Sequence, residues 1–163
     1  GLDIPQEYYS PLPDWLPCPS HECNHEDFDF YAFSYRDIVP TNSLTMENAW
    51  LDEAAQLDPY SYNIAINAGV GREKGLQSGD LISVENEYGH KVEGRARLTE
   101  TIHPEGLGIG ACAGHWARRM PTAKGKGVFF NDLVELDWHH SSPNNLTVDL
   151  CAKVKVTKLE AAQ

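Results

Sequence analysis

The stretch 110–127, "GACAGHWARRMPTAKGKG", gathers Arg118, Arg119, Lys124 and Lys126 with no acidic residue between them. Glycines let a backbone approach a ligand closely, and guanidinium groups bind phosphate in bidentate fashion. The strip reads as an anion site, with Gly114, His115 and Trp116 adding backbone, imidazole and indole, or, for its basic residues, as the counter-charge of the acidic first 63 residues of the same chain. Two further polar turns have the same flavour. "TNSLTMEN" (41–48) offers the amides and hydroxyls of Asn42, Ser43, Thr45 and Asn48, which suit a heteroaromatic ring with several donors and acceptors. "FFNDL" sets one amide, Asn131, among large apolar side chains. Three such turns in one small domain point to a polar ligand.

Other chemistries are poorly supported. "CPSHECNH" packs Cys18, His21, Cys23 and His25 into eight residues, all good zinc ligands. Structural zinc sites usually join two ligand pairs from separated places, and no second cluster follows, so a polar linker is the expected reading. A zinc-dependent or protein-interaction module on this segment is the alternative. His139-His140 reads as a surface loop. No G-x-S-x-G, P-loop or dinucleotide fingerprint occurs. A pyruvoyl-type decarboxylase needs a self-cleaving Gly-Ser bond, and the chain has no Gly-Ser dipeptide. No catalytic residue and no metal ligand is assigned.

Charge is unevenly placed. Of the 24 acidic and 13 basic residues, residues 1–63 hold 12 acids and one base, Arg36, so the whole net charge of −11 sits there. An acidic chain lacks the broad basic face that nucleic acid needs. No run approaches the ~18 apolar residues of a membrane span. The acidic, Pro-rich start is unlike a signal peptide, and a sequence beginning at Gly1 reads as an excised or processed piece. Cys112 and Cys151 lie in apolar runs and read as buried small hydrophobes.

The elements that must carry these turns are mostly strands. Residues 1–27 hold five prolines and no periodicity, giving an extended arm or linker before a domain at 28–163. Alternation predicts strands over 28–35, 61–67, 105–114, 127–136 and 146–159, and a pair within 80–100 around Tyr88-Gly89. Leu81, Val84, Val92 and Leu98 are the expected inward face of that pair. Asn48 caps a short helix over 49–57, and a second helical stretch ends at Gly75. In "GLGIG" Gly alternates with apolar residues, as in a strand packed against a flat object. Few short helices among many strands give a mostly-β domain, a closed barrel rather than an open sheet.

The order of segments resembles a known family. A strand leads into the Ser/Thr/Asn turn, then "ENAWLDEAAQLDPYSYNIAIN", then "GREKGLQSGDLISVENEYGHKVEGRARLTETIHPEGLGI", a Gly-His segment, and "FFNDL". This is similar to the C-terminal molybdopterin dinucleotide-binding domain of the dimethyl sulfoxide reductase family, which includes formate dehydrogenases, nitrate reductases and thiosulfate or polysulfide reductases. The resemblance runs from about Phe28 to Val156. It implies a double-psi β-barrel covering the pterin end of a molybdopterin guanine dinucleotide cofactor, in molybdenum or tungsten form. It also implies cofactor contacts at Asn42, Ser43, Thr45, Asn48, Gly114, His115, Trp116 and Asn131. Family members often carry Arg where this chain has Leu44, and a basic or aromatic residue where it has Asp149. Iron–sulfur cysteines and the metal-ligating residue belong to preceding domains or subunits of such an enzyme, so the resemblance implies a bacterial-type oxidoreductase fragment that is not catalytic alone.

Overall fold

The computed structural model describes residues 5–8, 11–12, 15–115, 117–142 and 147–160. Six strands close into a barrel: β1 (Phe30–Tyr35), β2 (Ile64–Asn67), β3 (Leu81–Asn86), β4 (Lys91–Thr99), β5 (Gly106–Gly110) and β8 (Cys151–Lys158). Their order is β1-β5-β2-β4-β3-β8, with β8 pairing back onto β1. The β1–β5 and β2–β4 pairs are parallel and the rest antiparallel. Closure leaves no open edge in this sheet. A two-stranded ribbon, β6 (Ser141–Ser142) and β7 (Thr147–Val148), stands apart. Two helices complete the set, α1 (Ala49–Leu57) and α2 (Ala68–Glu73). The domain is thus mostly β with a closed barrel and few short helices, as the alternation predicts.

Successive side chains of a strand point to opposite faces, so each strand contributes every second residue to the interior. Phe30 and Ala32, Ile64 and Ile66, Ile82 and Val84, Val92 and Ala96, Leu107 and Ile109, and Ala152 and Val154 are all buried there. Leu98 continues the inward row of β4, where α2 covers it: a Cβ on Gly71 would lie 2.4 Å from Leu98 Cδ2. Leu81 is a correction to the expected inward face. It is exposed, because the period of two that buries Ile82 and Val84 must turn Leu81 outward.

The flat object beside "GLGIG" belongs to the protein itself. A Cβ on Gly106 would meet Phe33 Cε1 at 3.3 Å, and one on Gly108 would meet Tyr35 Cε1 at 3.1 Å. The missing side chains on β5 leave room for aromatic rings of the neighbouring β1.

The expected strand over 127–136 is a second correction. Phe130–Leu133 forms a 3-10 turn with Phe130 and Leu133 buried. A spacing of three matches the three-residue turn of that helix, not a strand. The buried pair plugs the barrel end, and this demand overrides strand propensity. Cys112 is buried as expected, just after β5, whereas Cys151 is only half-buried at the start of β8. His140, expected in a surface loop, is buried.

The segment leading into β1 lies along the outer wall. Pro19 and Ser20 are buried in a 3-10 turn, and Ser20 Oγ donates to the Cys151 carbonyl at 2.8 Å. The His21 ring meets Tyr31 edge-on at 5.3 Å, Lys153 Nζ sits 3.6 Å over the Tyr31 ring, and Asp29 pairs with Lys74.

One buried amide organises the plugged end. Asn86, on the inward face of β3, is 2% exposed. Its Nδ2 donates to the Leu133 carbonyl at 3.0 Å, and its Oδ1 accepts from the Tyr88 and His90 N–H groups at 3.0 and 2.8 Å. Asn86→Leu keeps the volume, strands the buried Leu133 carbonyl at about 1–3 kcal/mol and removes the acceptor that shapes the Tyr88–His90 turn. We expect chemical unfolding to shift by about 2 kcal/mol or more with an unchanged m-value. A wild-type midpoint would remove Asn86 from this role.

Candidate functional site

Strand direction decides where the chemistry collects. β1 and β5 run in parallel and finish at one end of the barrel, where β2 begins antiparallel to β5. At that same end β3 finishes and β4 and β8 begin. The connections 36–63, 87–90 and 111–150 therefore all emerge together, while α2 and the short 100–105 turn occupy the other end. Asn42, Ser43, Thr45, Asn48, Gly114, His115 and Asn131 share one end for this reason. Trp116 lies outside the described residues.

In the first turn the polar side chains are also the local architecture. Asn42 Oδ1 accepts from the Leu44 N–H at 3.0 Å, opening a 3-10 turn over Ser43–Glu47. The Thr45 hydroxyl accepts from the Asn42 N–H at 3.1 Å and donates back to the Asn42 carbonyl. Asn48 Oδ1 caps α1 by accepting from the Trp50 and Leu51 N–H groups at 3.0 and 3.3 Å. These oxygens satisfy helix-start donors. The amide NH2 groups of Asn42 and Asn48 remain as donors, and both residues are exposed, as is Ser43.

The second region is a close meeting of two loops. Gly114 adopts φ +82°, and its N–H donates to the Lys126 carbonyl at 2.8 Å. A Cβ there would lie 2.0 Å from the Phe129 nitrogen, so only glycine fits. The His115 ring lies 5.9 Å from the Phe129 ring, and its Nε2 is buried without a hydrogen-bond partner. Asn131 is exposed in the adjoining 3-10 turn.

Carboxylates of the acidic half brace the basic strip. Asp52, 8% exposed on α1, accepts from Lys126 Nζ at 2.6 Å, Tyr62 Oη at 2.8 Å and Gln56 Nε2 at 2.9 Å. Burial raises its pKa, but the Lys126 and Tyr62 hydrogen bonds outweigh that and hold it below its ordinary 3.8. The same carboxylate and burial hold the Tyr62 phenol well above its usual range, with burial the larger cause. Glu47 accepts from the Thr122 and Ala123 N–H groups, which overcome its own burial and hold it low. Lys126 is thus spoken for by α1, while Arg118 and Arg119 are exposed.

Two members of this end carry no sequence signal. Asp37, two residues past β1, is 6% exposed. One oxygen has only a long 3.5 Å contact from the Val39 N–H, and Oδ2 has no partner. Ser61, before β2, is 1% exposed and its Oγ is unpartnered. Burial and the Asp37 charge together hold the Tyr35 phenol up at about 12. An unpaired buried polar atom costs about 1–3 kcal/mol; among the described residues Asp37 Oδ2, Ser61 Oγ and His115 Nε2 are such atoms at this end, and Asp29 Oδ1 and Arg97 Nε are such atoms away from it. Ile38, Leu44, Trp50, Leu57, Leu136 and Leu150 are exposed on the connections of the same end.

A buried histidine lies nearby. His140 Nδ1 meets Asp137 Oδ1 at 2.7 Å and Nε2 meets the Tyr88 hydroxyl at 2.9 Å, beside a cavity of about 10 Å³. The order carboxylate–imidazole–hydroxyl resembles a base relay. Burial and then neighbouring carboxylates push the Tyr88 phenol up to about 12, so its proton stays and the array fastens a loop. Among the described residues no three His, Cys, Asp or Glu side chains are arranged to hold a metal. The ligand-rich segment disperses: Cys18 faces Cys151, His21 lies on Tyr31, Cys23 meets Glu87 and His25 lies by Phe28.

No family model matches the chain, and no curated protein matches it in sequence. Its structure is similar to acetylene hydratase from Pelobacter acetylenicus, with a TM-score of 0.68 and 14% identity over 94% of this chain. The match covers 22% of that protein, so this chain spans about a fifth of its length.

Asp52→Asn removes the charge that Lys126 faces in a partly buried pair, at a cost of about 2 kcal/mol. A depressed carboxyl stabilises the fold above its unfolded value and loses that contribution as pH falls through the folded one. The wild-type melting temperature should therefore drop below about pH 4, and Asp52→Asn should be lower at neutral pH with a shallower acid limb. Parallel pH profiles would count against the brace.

Proposed function

We propose that the chain is the domain that holds the pterin end of a molybdopterin guanine dinucleotide cofactor, in molybdenum or tungsten form, within a larger oxidoreductase. We further propose that its barrel is of the double-psi type. The observation that carries the reading is a coincidence of position. Residues that the family resemblance marks in three separate turns share one barrel end with three buried polar atoms lacking any protein partner. The fold also recurs as part of a much larger enzyme chain.

The residues present suit such a ligand. A carboxylate oxygen of Asp37, a hydroxyl of Ser61 and an imidazole nitrogen of His115 mix acceptor and donor character, as a pterin edge requires. Asn42, Ser43, Asn48 and Asn131 add exposed amides and a hydroxyl, and Gly114 keeps the two loops close enough to act as one face. Thr45 acts indirectly, holding the first turn in shape. When bound, the cofactor supplies the metal–dithiolene redox chemistry. This domain binds and orients it without bond making. Preceding domains or subunits of the same enzyme would cover the exposed apolar side chains at this end. A fold shared with a hydratase carries no reaction with it, so the substrate is set elsewhere.

The test is to purify the parent enzyme and release its bound nucleotide. Guanine nucleotide with molybdenum or tungsten is expected, and absence of both would overturn the reading. Asn131→Ala in the parent should lower cofactor occupancy with the fold intact. Asp37→Asn distinguishes binding from structure. In the isolated chain it should leave stability nearly unchanged, since Asp37 Oδ2 has no hydrogen bond to lose. In the parent it should weaken cofactor retention roughly tenfold, about 1.4 kcal/mol. Loss of stability in the isolated chain would make Asp37 a structural residue instead.

A further inference from the structure

We propose that Cys18 and Cys151 are a redox-responsive pair whose oxidation to a disulfide fastens the segment before β1 to the start of β8, at the loop-bearing end of the barrel. The inference is independent of the cofactor reading. It begins with an anchor already formed without any covalent bond. Pro19 and Ser20 are buried, and Ser20 Oγ donates to the Cys151 carbonyl at 2.8 Å across 131 positions of sequence. The turn that holds Ser20 there is closed by the His21 N–H donating to the Cys18 carbonyl at 2.9 Å. Cys18, two residues before Ser20, is thereby delivered beside the start of β8, close enough for its thiol to act on the Cys151 thiol.

The other two thiols are directed elsewhere. Cys112 is buried near Arg36 and Asp37, and Cys23 is engaged by Glu87 and the His25 backbone. Tertiary structure therefore selects one of the pairings that four cysteines allow. Both members of the chosen pair are free thiols and only half-buried, so a small oxidant reaches them. Burial pushes the Cys151 thiol up, which disfavours it as the first attacker, while its attack in the second step is intramolecular.

With a low-molecular-weight disulfide as oxidant the step balances. The Cys18 thiolate attacks one sulfur of the oxidant and expels one small thiolate, leaving a mixed disulfide on Cys18. The Cys151 thiolate then attacks Cys18 Sγ and expels the second small thiolate. Two protein thiols are oxidised, one small disulfide is reduced to two thiols, and the two thiol protons pass to the expelled thiolates. The link encloses nearly the whole barrel in one covalent loop, and it fixes the path of the chain just after the exposed Trp15 and Leu16. Whatever precedes this segment would then meet the barrel in one set direction.

The full chain is incubated with oxidised glutathione or with dithiothreitol, remaining thiols are alkylated, and the digest is analysed by mass spectrometry. Oxidation should lower the free thiols from four to two, yield one Cys18–Cys151 cross-linked peptide, and raise the melting temperature by about 5–10 °C. Cys18→Ser, in a residue outside the barrel, should abolish the link and the rise, and Cys23→Ser should leave both intact. A Cys18–Cys23 link, a lasting glutathione adduct on Cys18 with no cross-link, or four remaining thiols would each overturn the proposal.

Discussion

The Asp52 carboxylate is the point on which the loop-bearing end of the barrel turns. A carboxylate offers about four lone-pair sites, and three here are filled by Lys126, Tyr62 and Gln56. Those partners come from the 111–150 connection, from the turn before β2, and from α1 itself. One buried charge thus joins the two long connections, 36–63 and 111–150, that the strands leave separate. Its isolation from water makes the arrangement strict, since a buried carboxylate that lost Lys126 would be costly to keep. Glu47 adds a second tie between the same two long connections. The basic strip that first suggests an anion site is in part the internal counter-charge of an acidic helix.

Above this brace the polar groups divide into two kinds. The oxygens of Asn42, Thr45, Asn48 and Asn86 are consumed by backbone donors, and they shape turns. Asp37 Oδ2, Ser61 Oγ and His115 Nε2 are withdrawn from water and given nothing in exchange. Folding alone would select against the second kind. They lie with exposed Trp50, Leu44 and Ile38 at one end of the barrel. The unpaired polar atoms and the exposed apolar side chains thus fall on the same set of connections, the ones that leave the barrel at its loop-bearing end.

The sequence by itself determined what depends on near neighbours. The Asn48 cap, the helix over 49–57, the turns at Gly75 and Gly89, and the alternating strands follow from propensity, capping and a period of two. The barrel class followed from their sum, whereas the room at Gly114, read as space for a ligand, is taken by the chain's own Phe129 backbone. Only the tertiary structure decided which partners meet across long separations. It turned Leu81 outward, made a 3-10 plug of Phe130–Leu133, buried His140 between Asp137 and Tyr88, and paired Lys126 with Asp52. It also left Asp37 and Ser61 unpaired, though neither residue type nor spacing sets them apart. The physical reason is range. Local periodicity fixes the conformation of a segment, whereas burial and pairing depend on which strand ends closure brings together.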